Sequence, residues 1–134
     1  MAYIKSLKLS ANSLDVMHVL VYAVHADHVV DGKEIKVIVD AVSALDIQSD
    51  TGEALSDIDL LYWLEANYNK IAAQYAGAKR DIELMILLTR MARRDDLDII
   101  MNVIMDIYHA DGEYHEAEKD FVDIIHSYWT KLSA

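Results

Sequence analysis

The stretch SLDVMHVLVYAVHAD at residues 13–27 decides the fold. Val16, Met17, Val19, Leu20, Val21, Ala23 and Val24 fall on almost every side of a helix, which is the pattern of a central, buried helix and not of a one-faced surface helix. The same construction returns 84 residues later as LDIIMNVIMDIYHAD at residues 97–111. Met17 matches Met101, Val19 matches Val103, His25-Ala26-Asp27 matches His109-Ala110-Asp111, and Glu34 matches Glu118. These are six identities across the 18 positions from Met17 to Glu34, where average composition gives about one. In both copies an apolar helix ends at His-Ala-Asp, a short loop follows, and a Glu stands seven residues after the Asp in the first turn of the next helix. Two such hairpins, at about residues 12–47 and 96–132, are expected to pack about a pseudo-twofold axis with their loops at the same end of the molecule.

The rest of the chain agrees with a helical reading. In 134 residues there are 4 Gly, no Pro and no Cys. An all-β chain needs many tight turns built from Gly and Pro, so an all-α fold is expected. The length suits one domain over residues 1–134, and 54% hydrophobic with 26% charged residues is a globular balance. Without Cys, disulfides, thiol catalysis and iron–sulfur clusters are excluded, and any metal site must use oxygen or imidazole. The 12 Lys and Arg against 23 Asp and Glu give a net charge of −11. Such a field repels phosphate backbones and anionic lipid, which argues against nucleic-acid and membrane partners and favours cations or basic protein surfaces. The opening MAYIKSLK has no basic flank followed by an apolar stretch, and the apolar runs are short of the ~20 residues that span a bilayer, so a cytoplasmic address is expected.

Six helices are expected, or seven if short turns are counted. The first ends near Asp27. The second follows Asp31-Gly32-Lys33-Glu34, a capping-box spacing, with Ile35, Ile38, Val42 and Leu45 inward. Residues 46–53 (DIQSDTGE) carry turn chemistry and form a loop. Ser56 caps a third helix with Leu60, Leu61, Leu64, Tyr68, Ile71, Ala72 and Tyr75 inward, closed near Gly77 by a left-handed cap. A fourth spans about Lys79 to Arg94 with Ile82, Met85, Ile86, Leu88 and Met91 apolar. The fifth starts at Asp95-Asp96 and carries Ile99, Ile100, Val103, Ile104 and Ile107. The sixth spans His115 to about Leu132 with Phe121, Val122, Ile125, Tyr128, Trp129 and Leu132 inward.

The motif Ala110-Asp111-Gly112-Glu113, with Glu118 following and an apolar helix before it, resembles the TerB-like family, the bacterial tellurite-resistance helical domain that is also similar to the N-terminal region of DjlA-type J-domain co-chaperones. The first copy, Ala26-Asp27 with Glu34, has His28 where the family usually places Gly, and its Asp-Gly pair comes later, at Asp31-Gly32. The resemblance implies an all-α, roughly twofold bundle whose acidic loop residues meet at a divalent-cation site, in a tellurite or stress-response context and without an established reaction.

The carboxylates divide by position. Glu34 and Glu118 lie in first helical turns, where a carboxylate meets the positive end of the dipole, so helix capping alone explains them as well as a metal does. Asp27 and Asp111 lie at the carboxyl ends of apolar helices, where their charge opposes the dipole, and a local rule broken twice at equivalent places points to function. Were the four carboxylates within about 4 to 5 Å, each pair would repel by up to ~4 kcal/mol at an effective dielectric near 20, against a total stability of ~5 to 15 kcal/mol. A cation held by Asp27, Glu34, Asp111 and Glu118 removes that cost. Carboxylate ligands favour Ca²⁺, Mg²⁺ or Mn²⁺, and an added imidazole would move the preference toward Mn²⁺ or Zn²⁺. His25 and His109 stand two residues before their Asp, a spacing that does not share a helix face, so packing suits them better than ligation. His28 is a candidate extra ligand, His115 a local cap, and His18 and His126 structural or surface residues.

Arg90, Arg93 and Arg94 gather at the end of the fourth helix, where cations complement the dipole, although the group also suits an acidic protein partner. Trp63 and Trp129 fit core stripes. No phosphate loop, His-Glu-x-x-His or Gly-x-Ser-x-Gly motif occurs. The expected function is a divalent-cation-binding or sensing module. A metal-free protein-interaction scaffold and a metal-dependent hydrolase are the alternatives.

Overall fold

Ser10 opens the first helix. Its Oγ accepts from Ser13 N at 3.3 Å and its carbonyl accepts from Leu14 N at 2.8 Å, which satisfies donors that the helix itself leaves unpaired. The computed structural model describes residues 8–25, 38–40, 45, 47–109 and 116–129. Five helices are bounded within them: α1 (Ala11–His25), α2 (Asp57–Ala76), α3 (Arg80–Met91), α4 (Leu97–His109) and α5 (Glu116–Tyr128). Residues 38–40 and 45 are also helical, with Ile38 and Leu45 buried as the second expected stripe requires. The fold is all-α. Among the described residues, β-type pairing is confined to two isolated bridges, Leu9 with Ser49 and Gln48 with Ala54.

Those bridges give the loop before α2 more order than turn residues alone suggest. Ser10 N donates to Gln48 O, Asp50 N to Lys8 O, and Gln48 N to the Ser13 hydroxyl. Leu9 and Ile47 thereby join the core. Gly52, at φ +88°, turns the chain between Gln48 and Ala54, a conformation that glycine adopts without a Cβ penalty.

The centre of the molecule is α1. Every residue from Val19 to Val24 is buried, along with Val16 and Met17, and α1 packs against α2, α3 and α4. Helix α2 also packs on α3, and α3 on α5. A single cluster of buried side chains runs from Leu9 to Trp129. Trp129 is fully buried and its indole N–H donates to Leu88 O at 2.9 Å, which joins the end of α5 to α3. Ser56 caps α2 as expected: it accepts from Asp59 N while the Asp59 carboxylate accepts from Ser56 N.

Four details correct the sequence reading. Gly77 ends α2 in extended backbone, φ −76° and ψ 169°, and its N–H donates to Gln74 O, so the last turn tightens and no left-handed cap is formed. Leu61 and Ile99 are exposed. On α3 the buried face is Leu84, Leu87, Leu88 and Met91, whereas Ile82, Met85 and Ile86 face solvent at 58%, 42% and 51% exposure. This amphipathic helix carries apolar residues on two faces, and the stripe that includes Leu84 and Leu87 is the one that meets α1, α2 and α5. Finally, α3 ends at Met91 and not at Arg94: the Ala92 N–H donates to Thr89 O and the Arg94 N–H to Met91 O, tighter turns that close the helix. For Tyr75, Ile35, Val42, His115 and Leu132, the expected placements fall outside what the structure describes.

Candidate functional site

The 84-residue offset is carried into burial. Each buried residue of α4 has a buried counterpart in α1: Leu97 with Ser13, Ile100 with Val16, Met101 with Met17, Val103 with Val19, Ile104 with Leu20, Ile107 with Ala23, and Tyr108 with Val24. In addition α1 buries Val21 and Tyr22, whose counterparts are the half-buried Met105 and the exposed Asp106. The two helices therefore use the same face, and α1 is covered at Val21 and Tyr22 as well. Further along, Ile38 pairs with Val122 and Leu45 with Trp129, all four buried.

Where the two helices begin, Arg94 joins them. Its Nε and Nη2 each donate to the Asp96 carboxylate at 2.8 Å just before α4, and its Nη1 donates to Asn12 O at 3.3 Å in the first turn of α1. The guanidinium holds the Asp96 carboxyl below its ordinary range. Helices α1 and α4 thus start side by side and pack on each other.

Of the four carboxylates expected to hold a cation, Glu118 is the one whose surroundings are defined. It lies in the first turn of α5 and is 1% exposed. It heads the stripe Glu118, Phe121, Val122 and Ile125 that α5 turns inward, so the spacing i, i+3, i+4, i+7 carries a carboxylate to the edge of the apolar core. Glu116, also in the first turn, stays exposed. Asp27, Glu34 and Asp111 lie outside the described residues, as does His28. His109, at the end of α4, is exposed. Among the described residues no group of three or more acids and histidines converges on one point.

A concavity elsewhere in the molecule went unread in the sequence. Between α1 and α2 lies a groove of about 580 Å³ whose floor includes Leu9, Trp63 and Ile71 and whose sides include His18, Asn67 and the two lysines Lys8 and Lys70. Each residue belongs to a stripe or loop that looks ordinary by itself, and the groove arises only when the segment before α1 is pinned to the loop before α2. His18 packs edge-on to Tyr22, with ring centroids 6.0 Å apart. Burial lowers its pKa from the ordinary value, with Asp15 opposing that change.

Among the described residues no helix is long and apolar enough to cross a membrane. Comparison with family models, with curated proteins and with solved structures finds no match.

Proposed function

We propose that the protein is a TerB-like divalent-cation-binding or sensing module, with Asp27, Glu34, Asp111 and Glu118 as ligands, acting in a tellurite-resistance or stress-response context in the cytoplasm. The observation that carries this reading is the buried Glu118 at the head of the inward stripe of α5, the second-copy member of a duplicated acid pattern. Support comes from the shared burial of α1 and α4 and from their adjacent starts, an arrangement in which both helices can deliver their carboxyl ends to one end of the bundle. The ions this set suits are Ca²⁺, Mg²⁺ or Mn²⁺, with Zn²⁺ if an imidazole joins. The proposed role is binding or sensing of the ion.

A cation that binds only the folded chain raises the melting midpoint, by the equivalent of about 2.7 kcal/mol at a hundredfold excess over Kd. Melting after chelation and with each added ion should show this rise. Glu118→Gln should abolish it, whereas Glu116→Gln, in the same helical turn but exposed, should keep it. A midpoint indifferent to all four ions overturns the proposal, and equal behaviour of the two variants reduces Glu118 to a helix-start charge.

One observation favours a second reading, a metal-free scaffold for a protein partner. Ile82, Met85 and Ile86 form an exposed apolar stripe on α3, of the kind that marks interaction surfaces.

A further inference from the structure

The groove between α1 and α2 differs in charge from the molecule that contains it. The chain carries a net −11, yet no acidic residue is among the groove's described lining, which includes Lys8, Lys70 and the half-buried His18. Neither lysine has an ion-pair partner among the described residues. The two acids whose charges reach His18, Asp15 and Glu83, do not line the groove, and Asp15 is already paired with Arg90. Beneath these cations the floor is apolar: Leu9, Trp63 and Ile71 are each less than a tenth exposed. Asn67 uses its amide N–H on Trp63 O at 2.9 Å, which fixes its side chain at the groove wall.

We propose that this groove binds a small amphipathic monocarboxylate, its aliphatic body lying on Leu9, Trp63 and Ile71 and its carboxylate drawn to Lys8 and Lys70. The size falls within the roughly 300–1,000 Å³ common for small-molecule sites, which are mostly apolar with a few placed polar groups. A single negative charge suits the groove better than a phosphate. The cations are two ammonium groups on flexible stems, no Arg is among the lining residues to supply a bidentate fork, and the surrounding field opposes a dianion. Low His18 basicity fits the same picture, since a neutral imidazole can share a hydrogen bond at the wall without adding charge. The site is independent of the cation site proposed above and lies on other residues.

The test is an NMR titration of the intact chain with sodium octanoate, and with 1-octanol as its uncharged counterpart, at fixed ionic strength. Octanoate should shift the Trp63 indole N–H, the Asn67 side-chain amide and the backbone of His18 and Ile71, leaving the Trp129 indole unmoved. Lys70→Glu, on the exposed face of α2, should weaken octanoate about tenfold, equivalent to 1.4 kcal/mol, with little effect on octanol. Ala66→Phe, another exposed position lining the groove, should block both compounds while leaving the circular dichroism and melting midpoint in place. Shifts that fall outside the groove overturn the proposal. So does octanoate binding that is equal in Lys70→Glu and the parent, or octanol binding as tightly as octanoate.

Discussion

Arg90 and Asp15 meet through two parallel hydrogen bonds, Nε to Oδ2 at 2.9 Å and Nη2 to Oδ1 at 2.7 Å, which tie the end of α3 to the beginning of α1. The fork geometry is the strong form of this contact. Because the Arg90 side chain is mostly exposed, solvent still screens it. Arg90→Ala should therefore lower stability by only about 0.5–1 kcal/mol in urea denaturation, with the loss shrinking as salt rises. Arg90→Lys should recover only part of it, since an ammonium cannot reproduce the fork. A loss that ignores salt would show that Arg90 acts through packing of its stem.

Two groups give the stability a pH dependence in separate windows. Burial lowers the His18 pKa from 6.5, so the folded state binds fewer protons there than the unfolded chain. The stability it contributes is complete above 6.5 and is lost as pH falls through the lower folded value. Asp96 is held below its ordinary 3.8 by the hydrogen bond from Arg94. Its contribution is complete above 3.8 and disappears as pH falls through the folded value. Denaturation series from neutral to strongly acidic pH should show His18→Gln flattening the higher window and Asp96→Asn the lower one. If one substitution flattened both, the two groups would be coupled.

Trp129 combines complete burial with a hydrogen bond to Leu88 O. Trp129→Phe keeps the ring face but empties volume and leaves a buried carbonyl without that donor. The expected cost is about 2–4 kcal/mol, read from thermal or urea unfolding. It should exceed the cost of Ile86→Ser on the exposed stripe of α3, which should stay within about 0.5 kcal/mol.

Helical class, the central role of α1, the Ser56 cap and the buried tryptophans were legible because each depends on local spacing. The inward face of α3 was not. Both Ile82-Met85-Ile86 and Leu84-Leu87-Leu88 have helical spacing, and only the positions of α1, α2 and α5 choose between them. Leu9 and Ile47 were also hidden, since their burial depends on pairing between segments nearly forty residues apart. Gly77 misled because glycine permits a left-handed cap without requiring one. Among the proposed ligands, Glu118 drew notice through its match to Glu34 at the 84-residue offset and its place in a first helical turn; its burial depends on how α5 packs and is not written in that spacing. Arg90 and Arg94 were read as dipole complements, whereas their partners lie on or next to other helices, Asp15 in α1 and Asp96 just before α4.

Because Val16, Met17 and Val19 to Val24 are all buried, largely under later helices, translation creates a temporary difficulty. A ribosome exposes this apolar rod long before residues 97–109 have been made to cover it. The nascent chain must keep it from other chains by partial collapse onto α2 and α3, or with the help of a holding chaperone. A fragment released before residue 97 lacks α4 and leaves the side of α1 that α4 covers open to water.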